Sequence, residues 1–277
     1  MAEPVVVVVG VGGMGEMIAR RQGTGKQLLL ADVSEAALQR SAETLRGDGY
    51  RVHTQPVDVS SAESVAALAA TAQRCGPVTQ VAHTAGLSPA QASAEAILRV
   101  DLLGVAHVLD AFGAVIEAGG AGVVIASMAG WLSAGAFPAE LEGALAATPT
   151  AQLLDLPLWA EPAFQEPGAA YSLAKRANQL RVQAASLAWG ARGARINSIS
   201  PGVISTPMGQ QELDSPSGAQ MRAMVAASGT GRLGTPSDIA DAVAFLLGES
   251  ATFVTGTDLL VDGGVVAAVR SGALSLG

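Results

Sequence analysis

The sequence predicts an α/β fold in which one doubly wound parallel sheet carries helices on both faces. Short β-branched runs alternate with longer Ala-rich segments along the chain of 277 residues, and this alternation is typical of right-handed β-α-β crossovers. The first run, Val5–Val9, is apolar at every position, as expected for a strand that is buried on both faces of a sheet.

The predicted elements account for most of the chain. Further strands are expected at residues 27–31, 53–57, 78–83, 122–126, 195–199 and 258–261. Helices are expected at residues 13–21, 34–46, 61–74, 91–118, 170–189 and 235–247, with Ser34 as an N-cap. Because neither a linker nor an internal repeat separates these elements, we expect a single domain over residues 1–277.

One region interrupts the alternation. Residues 132–168 contain five prolines and several large apolar residues that look exposed in the sequence, including Phe137, Trp159 and Phe164. We expect this insertion to form short helices or a structured flap rather than sheet. Loops of this length inside a compact domain are usually either functional or disordered.

Composition argues against several classes of function. A net charge of −8 and the lack of a basic run speak against a nucleic-acid partner. No apolar run approaches the roughly 20 residues of a membrane span, and the first four residues lack the basic start of a secretion signal. The single cysteine, Cys75, fits a reducing cytoplasm. His53, His83 and His107 are too scattered to indicate a metal site.

A glycine-rich turn follows the first strand and opens the first helix. It matches the pattern G-x-G-x-x-G and consists of Gly10, Val11, Gly12, Gly13, Met14 and Gly15. Here the glycines permit a tight turn and a close backbone approach to a pyrophosphate, which the helix N-terminus faces. Asp32 ends the second strand 22 positions after Gly10, where an acid would hold the ribose hydroxyls of a dinucleotide. The alternative is a structural turn with a capping aspartate.

The position of Asp32 favours NAD over NADP as the cofactor. A carboxylate there repels a 2′-phosphate, and no Arg or Lys lies inside the glycine turn to bind one. Arg20 and Arg21 lie further along the helix, so we assign them no part in this choice.

Later strand ends supply further candidate cofactor contacts. Asp58 and Val59 follow the third strand, where Asp58 either contacts adenine or caps the next helix. Ala85 and Gly86 follow the fourth strand, and their small size suits a backbone that passes beneath the cofactor. A further loop has amides and a hydroxyl suited to hold a carboxamide, and it includes Pro201, Gly202, Val203 and Thr206.

Tyr171 and Lys175 are the pair that most directly indicates chemistry. Residues four apart lie on one face of a helix, so the ammonium is expected to lower the pKa of the phenol from about 10. Such a tyrosine can exchange a proton with an alcohol or ketone. On its own, the same spacing also fits a half-buried tyrosine beside a solvated lysine.

Several motifs in the same order resemble the short-chain dehydrogenase/reductase family over nearly all of the chain. Besides Tyr171 and Lys175, they are Ser127 within residues 126–130, residues 200–202 with Thr206, residues 231–236, and residues 261–264. The resemblance implies a Rossmann-like domain and NAD(P)-dependent oxidation of an alcohol or reduction of a ketone. It also implies a homodimer or homotetramer, commonly formed through the helices that contain Asp101 and Tyr171.

The same resemblance assigns roles to the catalytic candidates. Tyr171 is expected to be the general acid/base. Lys175 is expected to lower its pKa and to bind the nicotinamide ribose. Ser127 is expected to hold the substrate oxygen in position for hydride transfer.

The chain departs from the family pattern at four places. The glycine turn is one residue shorter than usual and has Val9 in place of threonine. The usual N-N-A-G after the fourth strand is replaced by residues 83–86, which begin with His83. Asp101 replaces a catalytic asparagine that helps to organise a water beside the lysine, so the proton relay is expected to differ. Ser127 and Tyr171 are 44 positions apart, because residues 132–168 are inserted between them.

The insertion and the ending around residues 261–270 resemble bacterial 3α-hydroxysteroid dehydrogenase/carbonyl reductases. An apolar flap would suit a bulky hydrophobic carbonyl substrate, or it would serve packing or contact between subunits. The leading hypothesis is therefore an NAD-dependent oxidoreductase of a secondary alcohol or ketone. Asp101 motivates a second hypothesis, an NAD-binding sensor or structural protein without catalysis. A sugar-nucleotide epimerase or dehydratase shares the Tyr-x-x-x-Lys pattern but ordinarily needs a larger C-terminal domain.

Overall fold

The computed structural model describes residues 2–274 and contains a fully parallel sheet of seven strands in the order β3-β2-β1-β4-β5-β6-β7. The strands are β1 (Val5–Val9), β2 (Gln27–Asp32), β3 (Arg51–Pro56), β4 (Val78–His83), β5 (Ala121–Ile125), β6 (Arg195–Pro201) and β7 (Asp258–Val261). The strand order reverses between β1 and β4, and ligands of such sheets bind beyond the carboxyl ends of the strands at that point. The predicted doubly wound fold is confirmed.

Helices cover both faces of the sheet and its carboxyl edge. They are α1 (Gly13–Gln22), α2 (Glu35–Gly47), α3 (Ala62–Cys75), α4 (Ala94–Ile97), α5 (Gly104–Gly113), α6 (Met128–Leu132), α7 (Ala139–Ala147), α8 (Pro167–Ala191), α9 (Pro207–Leu213), α10 (Gly218–Ala227), α11 (Pro236–Leu247) and α12 (Val265–Arg270). Ser34 caps α2 as predicted. The predicted helix at 91–118 is instead α4 and α5 joined by a π-helical segment, Leu98–Leu103. Helices α6, α9, α10 and α12 were not predicted. Three of them, α6, α9 and α12, are too brief to show a clear period, and α10 buries only Gly218 and Met224, so it has no apolar stripe to read.

The residues of β1 divide between two apolar layers. Val5, Val7 and Val9 pack in the layer shared with α3, α5 and α8, whereas Val6 and Val8 pack in the layer shared with α1, α2 and α11. All five side chains are fully buried, because parallel strands between two helical layers have no face toward water. The prediction for this strand is confirmed.

The insertion is part of the folded core. It consists of α7 and three short 3₁₀ turns, at Thr150–Asp155, Pro157–Ala160 and Pro162–Gln165, in agreement with the expected short helices. Its apolar residues pack against α4, the π-helical segment and α8. The expectation that Trp159 is exposed was wrong: its ring is buried and its Nε1–H donates to the carbonyl of Leu153 at 2.8 Å. Arg181 of α8 donates to the carbonyls of Leu145 and Thr148.

This packing predicts that shortening a buried side chain of the insertion destabilises the whole protein. Leu145 of α7 is fully buried in the apolar cluster that the insertion shares with α8, so Leu145→Ala is expected to lower the free energy of unfolding by about 2–5 kcal/mol. Leu187→Ala is the matched control, because Leu187 on α8 is 81% exposed, and its effect is expected to stay within about 0.5 kcal/mol. Urea unfolding measures both. Equal effects would contradict the assignment of the insertion to the core.

Candidate active site

Four side chains that the sequence singled out for chemistry meet beyond the carboxyl end of β5. Ser127 is the N-cap of α6, Tyr171 and Lys175 lie near the start of α8, and Asp101 lies in the π-helical segment. Lys175 Nζ is 3.1 Å from Asp101 Oδ2 and 5.4 Å from the centroid of the Tyr171 ring. The Ser127 side chain lies close enough to Tyr171 to act on its pKa.

Local structure explains why these groups converge. A π-helical turn takes more residues than an α-helical turn, and here this wider turn contains Asp101, whose side chain lies beside Lys175. The other carboxylate oxygen, Asp101 Oδ1, accepts a hydrogen bond from the backbone N–H of Leu87 at 2.7 Å. A Cβ at Gly86 would lie 3.1 Å from Asp101 Oδ2 and 3.3 Å from Lys175 Nζ. Gly86 therefore leaves room for the ion pair, a role that the sequence did not indicate.

The ion pair between Asp101 and Lys175 is shielded from water, with side chains 0% and 5% exposed. Burial raises the pKa of Asp101, and the attraction of Lys175 opposes that shift. Burial also acts to lower the pKa of Lys175, but Asp101 and Tyr171 outweigh it, so this pKa is raised. Lys175 is therefore a cation whose charge is compensated by the neighbouring carboxylate.

The pKa of Tyr171 shifts in the direction opposite to the one predicted. Burial raises it, Lys175 and Ser127 act to lower it, and Asp101 and Glu212 act to raise it further. The sequence argument considered Lys175 alone. In the structure the phenolate is poorly hydrated and two carboxylates oppose the single ammonium, so ionisation of the phenol is less favourable than in water.

His83 occupies the position where the family pattern has an asparagine. Its side chain is 1% exposed, and neither ring nitrogen has a hydrogen-bond partner among the described residues. Burial lowers its pKa to about 3, and the charge of Lys175 acts in the same direction. A neutral imidazole therefore lies within the electrostatic reach of the lysine.

The glycine turn between β1 and α1 has the shape that a dinucleotide needs. Gly10 has a φ of +94°, which favours glycine, and a Cβ at Gly15 would lie only 1.9 Å from the carbonyl oxygen of Gly10. Gly12 has no atom within 4 Å of its Cβ position, so the backbone at the N-terminus of α1 is open to a ligand. These residues fit the pyrophosphate of a dinucleotide.

Asp32 lies against the glycine turn. Its Oδ2 accepts from the backbone N–H of Val11 and its Oδ1 from that of Ser34, both at 2.9 Å. These bonds hold the carboxylate in place, and each oxygen retains capacity to accept from a ribose hydroxyl.

The remaining cofactor candidates are distributed around this turn. Gly13 approaches Thr206, whose Cγ2 would be 3.1 Å from an added Cβ. Met14 is partly buried and packs against the apolar layer that α1 shares with α2 and α11. The Thr206 hydroxyl oxygen caps α9. Asp58 is exposed and accepts hydrogen bonds from Ser60.

The contacts of Asp58, Val59 and Ala85 bear on the roles that the sequence left open for them. Ser61, rather than Asp58, caps α3, so the capping alternative for Asp58 was wrong. Val59 is buried and a Cβ on Gly104 would lie 2.7 Å from its Cγ2, so Val59 takes part in helix packing. Ala85 N–H donates to the carbonyl of Val9 at 2.9 Å.

The loop that follows β6 contacts both the glycine turn and the segment after β7. Pro201 and Val203 are buried. A Cβ at Gly202 would lie 2.7 Å from Cα of Asp262, so the close approach of this loop to the end of β7 requires a glycine. The loop thus lies between the glycine turn and the C-terminal strand.

Two further kinds of site have no support in the described part of the chain. No group of three or more His, Cys, Asp or Glu side chains within residues 2–274 is arranged to hold a metal ion. Within the same residues, no helix combines the length and the apolar character needed to cross a membrane.

The fold and the site together define a class: an oxidoreductase with a Rossmann-like fold that uses a nicotinamide cofactor. The family profile described as short chain dehydrogenase matches residues 4–139, and the one described as enoyl-(acyl carrier protein) reductase matches residues 157–266. Short-chain dehydrogenase/reductase bsc3 of Alternaria brassicicola is 43% identical over 267 residues, which cover 96% of this chain and 97% of the relative. The chain belongs to the short-chain dehydrogenase/reductase family and is an oxidoreductase that acts on alcohols.

Two other comparisons are with a hydroxysteroid dehydrogenase/carbonyl reductase and with the solved structure of another reductase. The 3-alpha-hydroxysteroid dehydrogenase/carbonyl reductase of Comamonas testosteroni is 33% identical over 190 residues, or 67% of this chain and 72% of the relative. The crystal structure of levodione reductase superposes with a TM-score of 0.76 at 25% identity, covering 97% of this chain and 99% of that one. The predicted likeness to hydroxysteroid dehydrogenase/carbonyl reductases is confirmed.

The charges around Tyr171 predict how its ionisation responds to Asp101. The chain has two tyrosines, so a Tyr50→Phe background leaves Tyr171 as the only phenol. In that background, Asp101→Asn is expected to make Tyr171 ionise at a lower pH, because a carboxylate that raises its pKa is removed. Near-ultraviolet absorbance of tyrosinate measures the titration, with circular dichroism to restrict it to folded protein.

The matched control is Asp110→Asn, which removes an exposed carboxylate from α5 and is expected to leave the titration of Tyr171 unchanged. An unchanged or higher midpoint in the Asp101→Asn protein would contradict this account.

Proposed function

We propose that the protein interconverts a secondary alcohol and a ketone with NAD, and that Tyr171 is the general acid/base. The observation that carries the proposal is the cluster of Ser127, Tyr171, Lys175 and Asp101 beside an open glycine turn. In the oxidative direction, a bound nicotinamide would supply the acceptor for the hydride, which leaves the carbinol carbon with the bonding electron pair. The hydroxyl proton passes to the Tyr171 phenolate, and the carbonyl double bond forms.

Ser127 and Lys175 position the substrate and the cofactor in this proposal. Ser127 Oγ accepts from the N–H of Ala129 at 3.2 Å, so the hydroxyl is oriented by α6 and can hold the substrate oxygen beside Tyr171. Lys175 carries three N–H donors. One of them donates to the carbonyl of Ile125 at 3.4 Å, and Nζ is ion-paired with Asp101 Oδ2 at 3.1 Å. We assign a remaining donor to the nicotinamide ribose.

The insertion supports a bulky, apolar, cyclic substrate. Phe137 and Phe164 are partly buried, their ring centroids are 6.4 Å apart, and both pack in the same apolar cluster as Tyr171. Two relatives point the same way, since their names specify a hydroxysteroid and levodione as substrates.

Asp32 supports NAD rather than NADP. Its carboxylate is held by Val11 and Ser34 at the glycine turn, where a 2′-phosphate would meet a negative charge. Arg20 pairs with Glu16 and Asp48, and Arg21 pairs with Asp241, so these arginines have other partners.

We also propose that the protein is a homodimer or homotetramer. The insertion covers apolar surface on the helices that carry Asp101 and Tyr171, so we place contact between copies at the open edge of β7. The nearby Phe253 is fully exposed and Phe245 is 46% exposed, and such apolar side chains favour association. A monomer mass by light scattering would contradict this. A cytoplasmic location, which the single Cys75 suits, is tested by cell fractionation.

Replacing Tyr171 tests the proposed reaction. Tyr171→Phe is expected to lower kcat/KM for alcohol oxidation by about 10²–10⁴-fold, because the proton-accepting oxygen is removed. Tyr50→Phe is the matched control, since the Tyr50 hydroxyl donates to the carbonyl of Arg20 away from the site. A panel of secondary alcohols with NAD measures both. Tight NAD binding by calorimetry with no turnover of any alcohol would support the sensor hypothesis instead.

Replacing Asp32 tests the cofactor preference. Asp32→Ala is expected to reduce kcat/KM for NAD relative to NADP by about 10- to 100-fold, because a charged hydrogen bond to the ribose is lost and repulsion of the 2′-phosphate is removed. Glu43→Ala, which removes an exposed carboxylate of α2, is expected to leave the ratio unchanged. A wild-type protein that prefers NADP would refute the proposal directly.

A further inference from the structure

The carboxylate of Asp258, the first residue of β7, binds side chains from three other elements. Its Oδ2 accepts from Trp131 Nε1–H of α6 and its Oδ1 from the Ser198 hydroxyl of β6, both at 2.5 Å. Gln179 of α8 donates to the same Oδ2 at 3.5 Å and to the hydroxyl of Ser200 on β6 at 2.9 Å. Ser198, Ser200 and Gln179 are buried, so most of this network is shielded from water.

Trp131 is also held by the last helix, α12. The guanidinium carbon of Arg270 lies 5.1 Å from the centroid of the Trp131 ring, a distance at which a cation is attracted to the ring face. Arg270 Nη2 donates to the carbonyl of Trp131 at 3.1 Å. The hydrogen bond to Asp258 has a charged acceptor, so it is stronger than one between neutral groups. Trp131 is therefore fixed at its N–H, its ring and its carbonyl.

Helix α6 depends on these contacts for its position. It is only 5 residues long, and Ser127 is its N-cap. So short a helix gains little stability from its own hydrogen bonds, so contacts with the rest of the fold decide where it lies. One such contact is with α8, because a Cβ at Gly130 would lie 3.0 Å from the backbone nitrogen of Arg176. Ser127 and Trp131 are about one helical turn apart, so a shift of Trp131 moves Ser127.

Helix α8 does not need the same anchor. It is 25 residues long, and Lys175 on it is fixed by the ion pair with Asp101 at 3.1 Å. Its hydrogen bond to Asp258, from Gln179, is also the longest in the network, at 3.5 Å. Loss of the Asp258 carboxylate is therefore expected to move α6 relative to α8.

We infer that Asp258 is a positioning residue that sets Ser127 against Tyr171 and acts through Trp131. This inference rests on the proposed function, in which Ser127 holds the substrate oxygen beside the phenol. Reacting groups must be held within a narrow range of geometry, and a misplacement of about 1 Å can cost about 10²-fold in rate. The start of β7 thus contributes to the reaction through the position of α6.

A double-mutant cycle with Ser127 tests the inference, with the secondary alcohol that the wild type oxidises fastest. In the wild-type background, Asp258→Ala is expected to lower kcat/KM about tenfold or more. In a Ser127→Ala background it is expected to lower kcat/KM by less than about twofold, because the group that it positions is already absent. The Kd for NAD by calorimetry is expected to stay unchanged, because β7 lies at the opposite edge of the sheet from Asp32 on β2.

Two further variants examine the link through the indole. Asp258→Asn keeps one oxygen that can accept from Trp131, so it is expected to retain kcat/KM within about threefold of the wild type. Trp131→Phe keeps a ring for Arg270 but removes the N–H, so it is expected to lower kcat/KM as Asp258→Ala does. The fluorescence of Trp131, taken as the difference from the matching Trp131→Phe protein, is expected to be quenched more readily by acrylamide in Asp258→Ala.

Asn197→Ala is the matched control for loss of stability. Asn197 Nδ2 donates to the carbonyl of Val254 at 2.9 Å, and its Oδ1 accepts from the N–H of Thr257 at 3.1 Å. It therefore holds the segment just before β7, as Asp258 holds the start of that strand. Asn197→Ala is expected to lower the urea midpoint of unfolding while kcat/KM changes by less than about twofold in both backgrounds.

The possible failures are distinguishable. Equal losses from Asp258→Ala in the wild-type and Ser127→Ala backgrounds, or no loss in either, overturn the positioning role. A loss of kcat/KM in Asn197→Ala as large as that in Asp258→Ala overturns it too, because lower stability then accounts for both. No NAD-linked turnover of any alcohol, with Tyr171→Phe indistinguishable from wild type, overturns the proposed function. The quenching of Trp131 then still shows whether Asp258 holds α6.

Discussion

The buried ion pair between Asp101 and Lys175 is the interaction on which the rest of the site depends. Removing two charges from water is expensive, and only close pairing with additional hydrogen bonds compensates for it. Here Lys175 is 3.1 Å from the carboxylate and 3.4 Å from the carbonyl of Ile125, and Asp101 also accepts from Leu87. The ammonium thereby joins the end of β5, the π-helical segment and α8. The small volume left beside it explains Gly86.

Features set by local chemistry could be predicted from the sequence. The apolar run of β1, the glycine turn and Asp32 each express a short-range rule, and the structure contains them as expected. The spacing of Tyr171 and Lys175 likewise placed them on one helix. The family motifs, taken in order, identified the class of enzyme.

Features set by contacts between distant segments could not be predicted in the same way. A π-helical turn leaves no clear trace in the apolar pattern, so residues 91–118 were predicted as one helix. The family resemblance placed Asp101 near Lys175, but the direct ion pair depends on this turn. Trp159 looked exposed because the sequence does not show how the insertion folds over it: its Nε1–H binds Leu153 and its ring lies against Phe164. The direction of the pKa shift at Tyr171 failed for the same reason, since it is the sum of burial and three charges that the fold brings together.

The carboxylate at position 101 changes the electrostatics around the lysine. Asp101 Oδ2 lies 3.1 Å from Lys175 Nζ and compensates its charge. Lys175 therefore favours ionisation of Tyr171 less than an uncompensated cation would, and burial raises the pKa of the phenol as well. In the proposed reaction, a less acidic phenol gives a more basic phenolate, and a more basic phenolate accepts the alcohol proton more readily once it has formed. The partner of Lys175 thus bears directly on the proposed role of Tyr171.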